Sequence, residues 1–178
     1  MKYLLLFLLV GGLAFGQPKR PVDEAMTSLG PVRLTVINHA SLMIEHGAQI
    51  IHVDPVGAER YEGLPPADLI LITHDHGDHF DAKAVARLRK PGTVILGPEA
   101  VAKQLPGAAI LRNGESTKVG QTTIEAVPYN IKRERAPGQV FHPKGVGNGY
   151  VLTYAGRRCY IARDTEAIPE MRTLKDIE

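Results

Sequence analysis

Apolar and polar positions alternate with short periods along most of the chain, and turn residues interrupt the pattern often. Between positions 33 and 54, Leu34, Val36, Ile44, Ile50, Ile51 and Val53 mark a hairpin, with Glu45-His46-Gly47-Ala48 as its turn. Asp54-Pro55 ends the second strand. Leu69-Ile70-Leu71-Ile72 is a continuous apolar run behind Pro65-Pro66, the pattern of a strand buried on both faces. Asp81 is placed to cap a helix running to position 89, with Ala82, Val85 and Leu88 on one face. Arg87, Arg89 and Lys90 fall in its last turn, where the helix dipole favours cations, and Pro91-Gly92 stops it.

The pattern continues as a strand over 93–96, a short helix over 99–105, an Asn113-Gly114 turn and a strand over 122–127. Strands over 150–154 and 159–162 flank Ala155-Gly156-Arg157-Arg158 as a further hairpin. Strands alternate with helices and hairpins are mixed in, so the predicted class is α/β with mixed sheets.

The ends differ from this body. Lys2 precedes an uncharged, largely apolar run over 3–15, and Ala14-Phe15-Gly16 puts small residues ahead of Gln17. This predicts a signal peptide over 1–16, cleaved after Gly16, and a secreted or periplasmic protein. The run is shorter than the roughly 20 residues of a spanning helix, so no stable membrane anchor is expected after cleavage. Residues 17–30, charged and Pro-containing, read as a linker to a domain over 31–178.

Composition narrows the class. With 44% hydrophobic and 22% charged residues the chain is neither disordered nor fibrous, and a single cysteine excludes a disulfide scaffold. Cys159 lies in an apolar setting and reads as a strand residue rather than a nucleophile. Removal of Lys2 leaves 20 basic against 19 acidic residues, which gives no electrostatic reason to expect nucleic acid as a partner. The basic cluster Lys132-Arg133-Glu134-Arg135 reads as a solvated loop.

The chemistry concentrates in Thr73-His74-Asp75-His76-Gly77-Asp78-His79, directly after the buried strand. Ligand sites in open α/β sheets favour such strand ends. Imidazoles bind Zn2+ and similar metals, and carboxylates complete the site or orient its water. His39, at the bend Asn38-His39-Ala40-Ser41, reads equally as a ligand- or substrate-contacting imidazole and as a surface histidine. Asp54 reads either as a carboxylate orienting a metal-bound histidine or as a turn cap. Asn148 and Tyr129 are candidates to line the cleft, though an Asn between glycines is also a common turn residue; His46 and His52 read as hairpin surface.

His74-x-His76-x-Asp78-His79 after an apolar strand resembles the metallo-β-lactamase-fold hydrolases. His142-Pro143-Lys144-Gly145, followed by Gly147-Asn148-Gly149-Tyr150, is similar to the segment holding the family's third histidine. Tyr160-Ile161-Ala162-Arg163-Asp164-Thr165 resembles the strand end with its bridging aspartate. The resemblance looks closest to the lactonase-like group. It implies an αβ/βα sandwich in which His74, His76 and His142 bind one metal, while Asp78, His79 and Asp164 bind a second, with Asp164 bridging. The implied cofactor is Zn2+, one or two ions, with Mn2+ or Fe2+ as other divalent candidates. The implied reaction is hydrolysis of an ester, lactone or phosphoester in a small-molecule substrate by activated water, with Asp78 counted as catalytic as well as ligating.

Two departures matter. The family usually has glycine before the bridging aspartate, where this chain has Arg163, which implies a weakened second site unless the guanidinium points away. No histidine follows His142, and the sequence ends fourteen residues after Asp164. The expectation is therefore an incomplete second half, from a clipped or truncated chain, with an edge that favours pairing into a homo-oligomer. The alternative function is a non-catalytic or degenerate domain holding a single metal.

Overall fold

The computed structural model describes residues 20–129 and 131–177. Seven strands form the larger sheet in sequence order: β1 (Val22–Thr27), β2 (Gly30–Asn38), β3 (Ser41–His46), β4 (Gln49–Val53), β5 (Leu69–Leu71), β6 (Val94–Gly97) and β7 (Ala109–Ile110). The first four are antiparallel, joined by tight turns; β4 to β7 are parallel. Parallel neighbours need crossovers, supplied between β5 and β6 by α1 (Ala82–Leu88) and between β6 and β7 by α2 (Glu99–Gln104).

The second half contributes β8 (Ser116–Val119), β9 (Thr122–Pro128), β10 (Ile131–Ala136), β11 (Gln139–His142), β12 (Asn148–Tyr154) and β13 (Arg157–Ile161). Four of them form an antiparallel sheet in the order β13-β12-β9-β8, and β10 pairs with β11 as a separate hairpin.

Period-two alternation sends one face of each sheet into a shared layer. Ile44, Ile51, Leu69 and Leu71 meet Ile124, Ala126, Tyr150 and Leu152 there. On the far side of the larger sheet, Ile70, Ile72 and Ile95 pack with Ala84, Val85, Leu88 and Val101 of the helices. β5 therefore feeds both layers, as its unbroken apolar run predicts. Among the described residues, neither α-helix packs on the outer face of the four-stranded sheet.

Asp81 caps α1 as predicted, accepting the Lys83 backbone N–H at 2.8 Å. The buried stripe is Ala84, Val85 and Leu88; Ala82 is exposed. Four expectations need larger correction. The span 17–30 is not all linker, because β1 pairs with β2 along its length; its residues are nearly all exposed, so no apolar period marks it. The region 33–54 holds three strands and two turns. The 132–135 cluster lies in strand β10. His46 and His52 are buried rather than on the surface, at 1% and 0% exposure, because both faces of the sheet are covered. His52 Nε2 lies 3.1 Å from the Pro65 carbonyl, and His46 stacks at 5.3 Å from Tyr154.

Cys159 lies in β13, partly buried against the core. The expected signal peptide lies outside the described residues, among which no helix is long and apolar enough to cross a membrane.

Candidate metal centre

β4 and β5 are parallel neighbours, so their C-terminal ends open side by side. β4 runs into Asp54, and β5 runs into the loop from Thr73 to His79. Asp54 is fully buried and holds this loop. Its Oδ1 accepts the Thr73 N–H at 2.8 Å, and its Oδ2 accepts the Thr73 hydroxyl and the His79 Nδ1–H, each at 2.8 Å. Of the two sequence readings of Asp54, the structure favours the carboxylate that orients a histidine.

Those bonds fix which ring nitrogens keep a lone pair. With its Nδ1–H on Asp54, His79 presents a bare Nε2. His74 Nδ1 lies 3.1 Å from the Thr73 hydroxyl oxygen, whose proton is given to Asp54, so its Nε2 is bare too. Both Nε2 atoms are buried without a hydrogen-bond partner. Such atoms are costly unless something else meets them, and a metal ion is a group that can. His142 directs Nδ1 at the Asp164 carbonyl oxygen at 3.1 Å, which leaves Nε2 facing His76 Nδ1 at 3.2 Å.

Among the described residues three groups of donors converge within 4.8 Å: His74, His76 and His142; His74, His79 and Asp164; and His39, Asp78 and His79. Ligands of one tetrahedral zinc with bonds of 2.0–2.1 Å sit about 3.3 Å apart. The His76–His142 nitrogens and the His79 Nε2–Asp164 Oδ1 pair are both separated by 3.2 Å, so the residues fit a divalent ion. His74 Nε2 lies 3.9 Å from Asp164 Oδ2, which places that carboxylate between the first and second groups.

Charge follows the same geometry. Burial, then the neighbouring His79, His76 and His142, push the His74 pKa down to about 3, so the imidazole stays neutral. Burial opposes protonation of His79, but its hydrogen bond to Asp54 and the charges of Asp54, Asp164 and Asp78 outweigh it and raise its pKa. Burial likewise opposes the Asp78 charge, while a backbone hydrogen bond and the imidazoles of His79, His39 and His74 hold its pKa below the usual value.

The structure brings His74, His76, Asp78, His79, His142 and Asp164 together, with Asp54 beneath them. Asn148 does not face the cleft. Its Nδ2–H groups go to the Leu111 carbonyl and the Tyr150 hydroxyl, its Oδ1 accepts from Asn113, and its backbone N–H holds the Thr73 carbonyl at 2.9 Å. Tyr129 does line the site, 5.7 Å from the His74 ring and 5.3 Å from that of His142. Arg163 does not point away: its Nε is 3.6 Å from Asp54 Oδ2, with the guanidinium largely buried. Sequence reasoning missed Thr73, whose hydroxyl joins Asp54 to His74, and Ser41, whose hydroxyl donates to the Asp54 carbonyl at 2.6 Å. Only their positions beside His74 and His39 could have marked them.

Comparison with known proteins places the chain in a family. Residues 33–177 match the family described as Beta-lactamase superfamily domain. A UPF0173 metal-dependent hydrolase of Nitratidesulfovibrio vulgaris is 31% identical over 153 residues, covering 78% of this chain and 61% of that protein's length. The crystal structure of a Parabacteroides distasonis protein whose name includes "metal-dependent hydrolase" superposes with a TM-score of 0.83 at 42% identity, over 89% of this chain and 73% of that one. A metallo hydrolase of Ignicoccus hospitalis shares the fold, with a TM-score of 0.61 at 23% identity over 79% of this chain and 64% of that one. The resemblance drawn from the histidine motif is borne out, and the chain belongs to the beta-lactamase superfamily domain family.

Proposed function

We propose that this chain is a metal-dependent hydrolase that cleaves an ester, lactone or phosphoester in a small-molecule substrate with water activated at a pair of divalent cations, Zn2+ foremost. The observation that carries the reading is the pair of buried, unpartnered Nε2 atoms of His74 and His79, each facing an Asp164 carboxylate oxygen.

In this reading His74, His76 and His142 would hold one cation, and Asp78, His79 and Asp164 the other. Cations bound there would supply a water of lowered pKa and polarise a carbonyl or phosphoryl oxygen. Asp78 is half-exposed and ionised, so its carboxylate can accept a proton of the attacking water. Asp54 and Thr73 keep His79 and His74 in the ligating tautomer. An open cleft of about 780 Å³, lined by His76, Asp78, Gln139, Val140 and Pro143, receives the substrate.

Elemental analysis and assays on generic esters, lactones and phosphodiesters test this. Replacing His76 or His142 with Ala abolishes metal content and turnover together; turnover without bound metal would refute the reading. A second reading, one ion and no turnover, is favoured by Arg163, whose cation shares Asp54 with His79. One ion per chain with no hydrolysis of any probe would support it. The apolar amino-terminal run supports export with cleavage after Gly16, which a mature protein beginning at Gln17 would verify.

A further inference from the structure

The turn between β2 and β3 carries an imidazole into the group that contains Asp78. A register shift between Val36 and Asn38 breaks the regular pairing just before this turn, and such bulges re-aim the residues that follow. His39 then adopts a φ of 35°, in the left-handed region where glycine would be the low-cost choice. Two residues on, Ser41 ties the turn to the Asp54 carbonyl. Asp54 thus anchors both His79, through its side chain, and the turn of His39, through its backbone.

The outcome is a triangle of donors. His39, Asp78 and His79 lie within 4.8 Å of one another. His39 Nε2 is 3.5 Å from Asp78 Oδ2, which is 3.9 Å from His79 Nε2. The first separation is too long for a charge-assisted hydrogen bond, which closes to roughly 2.7–2.9 Å. It suits two ligands on one ion, which sit about 3.3 Å apart. An exposed imidazole–carboxylate pair would otherwise gain little from being held in a left-handed turn.

We infer that His39 is a ligand of the second cation, completing from the β2–β3 turn a set with Asp78, His79 and Asp164. This rests on the two-cation reading above and assigns a residue that the histidine motif does not contain. His39 is half-exposed, so the second ion is reached from solvent over the turn, whereas two of the three imidazoles of the first group, His74 and His142, are buried.

His39→Gly tests the assignment, because glycine removes the imidazole and accepts the left-handed turn. The full chain is titrated with Zn2+ by calorimetry and with Co2+ by absorption, with folding checked by circular dichroism. The wild type takes up two ions. The variant keeps the first at unchanged affinity and binds the second at least tenfold more weakly, with an altered Co2+ d–d spectrum for that site alone. A folded variant that takes up two ions with unchanged affinities and spectrum overturns the assignment and leaves the two-cation reading standing. A wild-type chain that takes up no second ion overturns both.

Discussion

The His79 Nδ1–H meets the Asp54 carboxylate at 2.8 Å with both side chains fully buried. This bond decides which ring nitrogen of His79 is available at the site. Asp54→Asn keeps the shape but removes an acceptor: with Oδ1 on Thr73, an NH2 group faces His79 and drives its proton to Nε2. Metal affinity of the group containing His79 should fall about 10- to 100-fold in a folded protein. Calorimetric titration with Zn2+ checks this, and unchanged affinity would mean that the bond does not set the tautomer.

Arg163 has a φ of 46°, the left-handed region again, in the position where the family resemblance expects glycine. Burial lowers its pKa, against the attraction of Asp54 and Asp164. Backbone and charge are separated by comparing two variants. Both Arg163→Gly and Arg163→Ala delete the guanidinium, but only glycine is free of the steric cost of this φ. The glycine variant should be more stable by about 1 kcal/mol in urea unfolding. Equal stabilities would show that the backbone relaxes when the side chain is removed.

The same contrast between local signal and tertiary placement explains what the sequence disclosed. Leu69 to Ile72, the Asp81 cap and the His74–His79 cluster are local patterns, and they appear where expected. β1 was hidden because an edge strand with both faces exposed has no apolar period. His46 and His52 look like surface polar residues, and only the covering of both sheet faces buries them. The direction of Arg163 was left open, because strand alternation does not extend into a residue with positive φ. His39 was left undecided because its proximity to Asp78 depends on pairing across a turn thirty-nine positions upstream.

Gly147 and Tyr129 are in contact so close that a Cβ at Gly147 would overlap the tyrosine ring. That ring in turn borders His74 and His142. Gly147→Ala should therefore cost about 1–3 kcal/mol by overpacking and push Tyr129 toward the first group of donors. In a Tyr129→Ala background the same substitution should cost almost nothing, so a double-mutant cycle of thermal stabilities should show a large coupling. Additive effects would place the cost in the backbone instead.

His52 predicts part of the acid sensitivity of the fold. Burial pushes its pKa down to about 4 from the ordinary 6.5, opposed by its contact with the Pro65 carbonyl. The unfolded chain thus binds a proton at His52 more readily than the folded one. Its contribution is complete above pH 6.5 and is lost as pH falls toward about 4. Between pH 7 and pH 5 this amounts to about 2 kcal/mol. His52→Gln leaves a neutral group that can still reach toward Pro65, so the variant should lose about 2 kcal/mol less than the wild type over that interval. Urea unfolding in the presence of a chelator, at both pH values, measures the difference. Parallel losses in the two proteins would mean that His52 titrates alike in the folded and unfolded chains.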